Sequence, residues 1–172
     1  METMEARMVK LYARNNNHVA LHAIPGHFAT SHSHINFYID MTSLKTRANE
    51  AQEVAKSLAG DYVNSTVVDT IVCMDGTEVV GAYLAQEFEK RGFRNTNLHD
   101  TIYVVTPEYN ANNQLIFRDN TIPAIKGKNV ILLLATTTTG LTVRRSLECV
   151  QYYGGTVHGI SSIFSTCLLY TS

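Results

Sequence analysis

The stretch Val130-Ile131-Leu132-Leu133-Leu134-Ala135-Thr136-Thr137-Thr138-Thr139-Gly140-Leu141-Thr142 decides the reading of this chain. Its first half is apolar at every position, as in a strand buried on both faces rather than one that alternates between core and solvent. Its second half changes abruptly to hydroxyl side chains and one Gly. Residues 142–153 follow with Val143, Leu147 and Val150 at helical spacing. A buried strand feeding a helix through a short loop is half of a βαβ unit, so a parallel sheet is expected.

The same rhythm recurs on either side. Residues 67–73 read as a strand, 78–91 as a helix with Val79, Val80, Tyr83, Leu84 and Phe88 inward and Gly92 as its stop, and 101–105 as the next strand. Residues 106–127 read as irregular, 129–134 as a strand and 157–164 as the last strand. Upstream, residues 46–58 form a helix with Ala51, Val54, Ala55 and Leu58 on one face, ending at Gly60. Residues 35–39 are β-rich. Met4, Met8, Leu11 and Tyr12 recur at helical spacing, which predicts an amphipathic helix over residues 1–14. The fold class is therefore α/β, a parallel sheet covered by helices on both faces.

In open parallel sheets ligands bind beyond the C-terminal strand ends, so the loops after Cys73, Val105 and Leu134 are the first candidates. In the loop after Leu134, the hydroxyls of Thr137, Thr138, Thr139 and Thr142, the backbone at Gly140 and the positive end of the helix dipole suit a phosphate monoester. An ordinary Thr cap at Thr142 would need one hydroxyl, and the run supplies more. The loop Met74-Asp75-Gly76-Thr77 also enters a helix through Gly. Thr77 and Glu78 there suit helix capping, while Asp75 stands where a carboxylate meets a ligand hydroxyl or a hydrated metal.

Three segments together resemble the type I phosphoribosyltransferases, and orotate phosphoribosyltransferase in particular. Residues 26–40, Gly26-His27-Phe28 through Tyr38-Ile39-Asp40, are similar to that family's N-terminal substrate hairpin. Residues 69–85 resemble its strand, pyrophosphate loop and helix, with Met74, Asp75, Gly76 and Thr77 as the loop. Residues 130–142 resemble its phosphoribosyl pyrophosphate motif, whose 5′-phosphate half is matched by Thr138-Thr139-Gly140-Leu141-Thr142. The resemblance implies a parallel-sheet core over residues 41–166 under a small N-terminal hood, residues 1–40. It further implies nucleotide (pyrimidine) metabolism, a small phosphoribosyl or nucleotide ligand, a homodimer, and transfer of a ribose 5-phosphate moiety with magnesium.

The departures are equally specific. The two positions that are acidic in the family, and that hold the ribose hydroxyls and the magnesium-bearing sugar, are Leu134 and Ala135. The hairpin's Lys and Arg are represented by Thr30, Ser31, His32, Ser33 and His34, leaving His32, His34, Phe37 and Tyr38 as base-recognition candidates. The long connection in the position of the family's mobile loop offers Arg118 as its basic residue. Two functions of different class follow: an orotate phosphoribosyltransferase-like enzyme, or a catalytically inactive nucleotide sensor that keeps the phosphate cradle. His18, His22, His27, His32 and His34 crowd one region, and the readings of that cluster are a solvated loop, a grip on an anionic base, and a transition-metal site without strict ligand spacing. No metal is assigned to it. Arg144 and Arg145 lie on the first turn after the Thr loop, either as a solvated face or leaning towards a phosphate.

Composition sets the remaining bounds. A net charge of −1 with 17% charged residues argues against nucleic acid or anionic lipid as partner. No apolar run approaches the ~20 residues of a membrane span. Cys73, Cys149 and Cys167 are few and odd in number, as expected of a reducing cytoplasm. Cys167-Leu168-Leu169-Tyr170-Thr171-Ser172 is what a transposon end used in sequencing libraries encodes, so residues 167–172 are expected to be a non-native tail.

Overall fold

The computed structural model describes residues 4–29, 34–62 and 66–166. Four strands form a parallel sheet in the order β5-β4-β8-β9, where β4 is Thr70–Cys73, β5 Tyr103–Val105, β8 Asn129–Thr137 and β9 Thr156–Ser165. Helix α3, Glu78–Lys90, links β4 to β5, and α4, Leu141–Tyr152, links β8 to β9. Side chains alternate across the sheet. Ile71, Cys73, Ile131 and Leu133 join one buried cluster with Val54 and Ala55 of α2, Ala48–Ala59, and with Leu84 and Phe88 of α3. Val72, Val130, Leu132 and Leu134 join the other, under Cys149 and Val150 of α4. A sheet buried on both faces explains why the apolar runs lack alternation. No helix among the described residues is long and apolar enough to cross a membrane.

The N-terminal segment differs from the helix expected there. Met4–Arg7 is a single 3-10 turn, and Val9–Ala13 is a strand, β1, antiparallel to β2, Asn16–Ala29. The residues 9–13 carry two periods at once. Val9, Leu11 and Ala13 also alternate with Lys10 and Tyr12, and pairing with β2 selects the period of two. β3, His34–Asp40, completes the antiparallel sheet β1-β2-β3.

Other boundaries move for local reasons. The helix expected from residue 46 is two: α1, Thr42–Thr46, and α2, separated by Arg47 in an extended conformation at φ −89°, ψ 119°. Val79, expected inward, is 39% exposed on the first turn of α3, whereas Val80 is fully buried. The stretch expected to be irregular contains a hairpin of β6, Glu108–Tyr109, and β7, Leu115–Ile116, anchored by Phe117, which is buried edge-on against Tyr153. β8 runs on to Thr137, so Leu134 and Ala135 sit inside the strand, 0% and 3% exposed, and not at an open strand end.

One buried carboxylate ties the lower edge of the sheet together. Asp69 Oδ1 accepts from the N–H and hydroxyl of Thr96, and its Oδ2 accepts from the N–H and side-chain amide of Asn129 at 2.8 and 2.7 Å. Burial raises its pKa, but these four donors outweigh burial and leave the carboxyl below its ordinary value.

Candidate functional site

At the upper edge, Asp75 and residues 136–143 surround a cavity of about 150 Å³. β8 delivers the chain to this point, with Thr137 buried and paired to Ser165, and Thr138 and Thr139 exposed. Gly140 then takes φ +77°, ψ 0°, and α4 starts at Leu141. A Cβ at Gly140 would meet nothing within 4 Å, so Gly is required here by its left-handed backbone and not by space.

The start of α4 has no side-chain cap, although four Thr precede it. Leu141 N–H reaches Thr139 Oγ1 only at 3.5 Å, outside good geometry. Thr142, considered as a cap from sequence, lies within the first turn. The helix start therefore faces a hydroxyl-lined cavity with its first-turn amides uncapped by side chains, the arrangement that suits an anion.

Asp75, which also lines the cavity, belongs to the turn Met74-Asp75-Gly76-Thr77, with Asp75 at φ +57° and Gly76 at φ +75°. Two left-handed residues in succession match a type I′ turn, in which Asp-Gly is favoured. The turn is held from within: Met74 N–H donates to Leu133 O at 2.8 Å, and Thr77 N–H to Met74 O at 3.3 Å. The Thr77 hydroxyl donates to Met74 O at 2.8 Å and contacts Leu133 O at 3.2 Å, so Thr77 braces the turn and does not cap α3. From α1, Lys45 Nζ donates to Asp75 O at 2.9 Å. Nothing in the local sequence pointed to Lys45, because its approach depends on how α1 packs. Desolvation pushes the Asp75 carboxyl above its ordinary pKa, with Lys45 acting in the other direction.

The other sequence candidates disperse. Glu78 accepts from the Thr106 hydroxyl at 3.2 Å. Arg118 pairs with Glu108 at 2.8 Å at the base of the β6–β7 hairpin. Arg144 lies 3.8 Å from Glu148, and Arg145 lines a cavity under the hairpin with Asn112–Leu115 residues, so neither lines the Thr cavity. On β3, Phe37 and Tyr38 point to opposite faces. Tyr38 lies near Phe28, with ring centroids 5.8 Å apart. Phe37 joins Val9, Leu11, Ala23, Ile35 and Ile39 in an open apolar groove of about 510 Å³ that ends on Phe164 and Thr166. Sequence reading missed this groove, which arises only when the hood sheet stands over β9. Thr166 N–H donates to Thr137 O at 3.0 Å, which ties a residue of the groove to a residue of the cavity. His34 Nδ1 lies 3.0 Å from His27 Nε2, sharing one hydrogen bond at the hood's tip. Thr30, Ser31, His32 and Ser33, and residues 167–172, lie outside the described residues.

The residues fit a protein-held magnesium poorly. Leu134 and Ala135 are buried and apolar, which leaves Asp75 as the only carboxylate lining the cavity among the described residues. Among the described residues no group of three or more His, Cys, Asp or Glu is placed to hold a metal ion. Burial pushes the thiols of Cys73 and Cys149 up to about 12 and about 11, so both are protonated and unreactive at neutral pH.

No family model and no curated protein matches the chain by sequence. Solved structures do resemble it. Orotate phosphoribosyltransferase of Mycobacterium tuberculosis H37Rv in complex with inorganic phosphate is 15% identical with a TM-score of 0.53, over 83% of this chain and 75% of that one. Adenine phosphoribosyltransferase from Thermoanaerobacter pseudethanolicus is 14% identical with a TM-score of 0.56, over 94% and 85%. UMP synthase of Leishmania donovani is 16% identical with a TM-score of 0.57, over 84% of this chain and 33% of that one. The chain thus has the type I phosphoribosyltransferase fold, shared with enzymes named for different bases.

Proposed function

We propose that the protein serves nucleotide metabolism by binding a ribose 5-phosphate moiety, with the phosphate on Thr137, Thr138, Thr139, Gly140 and Thr142 at the start of α4. The observation that carries this reading is the uncapped helix start facing a cavity lined by hydroxyls. A structure of the same fold described as a complex with inorganic phosphate supports it. The apolar groove beyond Thr166 is suited to the flat ring of a base, with Phe37 on its wall and the sugar bridging the two sites.

Whether the moiety is transferred or only bound turns on charge. In transfer, pyrophosphate leaves the anomeric carbon as a base nitrogen attacks, and developing charge must be stabilised by cations or by a metal held on carboxylates. Leu134 and Ala135 supply neither, and Arg118 is engaged by Glu108. These residues favour a nucleotide-binding sensor or regulator over an orotate phosphoribosyltransferase-like enzyme. The homodimer implied by the resemblance and a cytoplasmic setting are part of the proposal.

The test is calorimetric titration of the protein with uridine and orotidine monophosphates and with the matching nucleosides. Thr139→Val removes an exposed hydroxyl while keeping shape. A hydrogen bond to a charged group contributes about 1.5–3 kcal/mol, so monophosphate affinity should fall roughly tenfold or more, with nucleoside affinity unchanged. Monophosphates bound equally well by a folded Thr139→Val variant would refute the phosphate site.

A further inference from the structure

We propose that His27 and His34 form a binding site for one divalent transition-metal ion, copper(II) or nickel(II), which clips β2 to β3 at the tip of the hood. The inference is independent of the phosphate reading and concerns a pair of side chains that the proposed function leaves unused.

The ladder brings the pair together. Pro25 pairs with Phe37 and Phe28 with Ile35, so Gly26 and His27 together oppose Asn36 in a bulge. A bulge re-aims the side chain it carries. Here it carries His27, whose ring reaches His34, two positions from Asn36 and on the same face of β3. His34 Nδ1 comes within 3.0 Å of His27 Nε2, with the ring planes 17° from parallel and the centroids 4.9 Å apart. As they stand, the two nitrogens hold one proton between them. When a metal binds, both electron pairs go to the ion and that proton moves to the other nitrogen of its own ring, so two neutral imidazoles coordinate with no net proton released.

The donor set and its spacing choose the ion. Imidazole suits copper, nickel and zinc, whereas magnesium and calcium take oxygen ligands. Among the described residues no further His, Cys, Asp or Glu joins the pair to make a group of three. At a metal–nitrogen distance of about 2.0–2.1 Å, nitrogens 3.0 Å apart subtend about 91–97°. That is close to the angle between neighbouring positions of a tetragonal ion, while tetrahedral zinc would hold them about 3.3–3.4 Å apart. Both residues are exposed, so an ion reaches them without unfolding and water fills its other positions. An ion held here joins two strands outside their hydrogen-bond ladder, and the hairpin then opens only by losing it. Because β3 also carries Ile35, Phe37 and Ile39 of the apolar groove, occupancy fixes the strand on which that groove is built.

The test is calorimetric titration of the untagged full chain, freed of metal by a chelator, with copper(II), nickel(II), zinc(II) and magnesium(II). Wild type should bind one copper(II) per chain, nickel(II) and zinc(II) more weakly, and magnesium(II) not at all. His27→Gln and His34→Gln should each weaken copper(II) at least tenfold, because a two-point attachment becomes one. His22→Gln, five positions along β2 and paired with Asp40, should change it less than twofold. Electron paramagnetic resonance of the copper-loaded wild type should show coupling to two imidazole nitrogens, a readout that needs no variant. With copper(II) a hundredfold above its dissociation constant, amide exchange in β3 through openings that part the rings should slow by up to about a hundredfold in wild type, and not in His34→Gln. Wild-type copper affinity in either single variant, an equal loss in His22→Gln, or coupling to a single nitrogen would overturn the site. Copper binding that leaves β3 exchange unchanged would overturn the clip.

Discussion

Replacing Gly81 by Ala sets two well-known effects against each other at the contact between α3 and β4. In a helix interior Ala is better than Gly by about 0.8–1.0 kcal/mol, so on propensity alone the variant should gain stability. The structure argues the reverse. A Cβ at Gly81 would lie 2.3 Å from Cys73 Sγ and 3.3 Å from Val104 Cγ1, with Ile71 Cγ2 at 3.7 Å. The first distance is roughly 1.2 Å short of the ~3.5 Å at which non-bonded carbons begin to attract. Cys73 is 0% exposed and has one side-chain torsion, so its sulfur has little room to swing away. Overpacking of this kind costs about 1–3 kcal/mol, and the upper part of that range applies because α3 must move as a body. Net destabilisation of about 1–2 kcal/mol is expected. Equilibrium urea unfolding followed by far-ultraviolet circular dichroism reads it directly: with a slope near 2 kcal/mol/M, the midpoint should fall by about 0.5–1 M. Cys73→Ala removes the obstructing sulfur, so the double variant should be more stable than Gly81→Ala alone, with a coupling on the order of 1–2 kcal/mol. A single variant that unfolds at the same or higher urea, or strict additivity of the two changes, would show that the helix is not held at this distance by the absent Cβ.

Two further outcomes test the frame around the site. Asp69 has a depressed pKa in the folded protein, so its stabilisation is complete above the unfolded value near 3.9 and is lost as pH falls through the folded value. Asp69→Asn should therefore cost about 2–3 kcal/mol at pH 7, because two of four donors lose an acceptor, and the gap from wild type should shrink below about pH 4. A pH-independent difference in urea midpoint would refute this account. Leu134→Asp with Ala135→Asp restores the acids of the family pattern but buries two like charges beside Val72 and Leu132, so the protein should lose several kcal/mol and accumulate insoluble. Soluble expression with magnesium-dependent sugar binding would show that the strand end opens.

How much of this could be read beforehand depends on the range of the forces involved. The parallel sheet and both helix layers follow from the sequence because burial on two faces demands uninterrupted apolar runs, as at residues 130–134, and a helix demands its own spacing, as at Val80, Leu84 and Phe88. The Thr run and Gly140 were legible for a similar reason, since left-handed backbone and hydroxyl chemistry are local properties. Residues 9–13 were misread because two periods fit them, and only the partner strand could choose. Lys45 at Asp75 O, the capture of Arg118 by Glu108 and the groove between hood and Phe164 join residues 30, 10 and more than 120 positions apart in the chain. The burial of Leu134 and Ala135 was also decided from a distance, by β4, α4 and β9 packing around β8. Such meetings carry no local signature, because each is set by the summed packing of other elements. Sequence alone therefore determined the hydroxyl-rich loop and the left-handed Gly140 that lead into α4. Tertiary structure decided that the helix start stays without a side-chain cap, and that Asp75 lines the same cavity as residues 136–143.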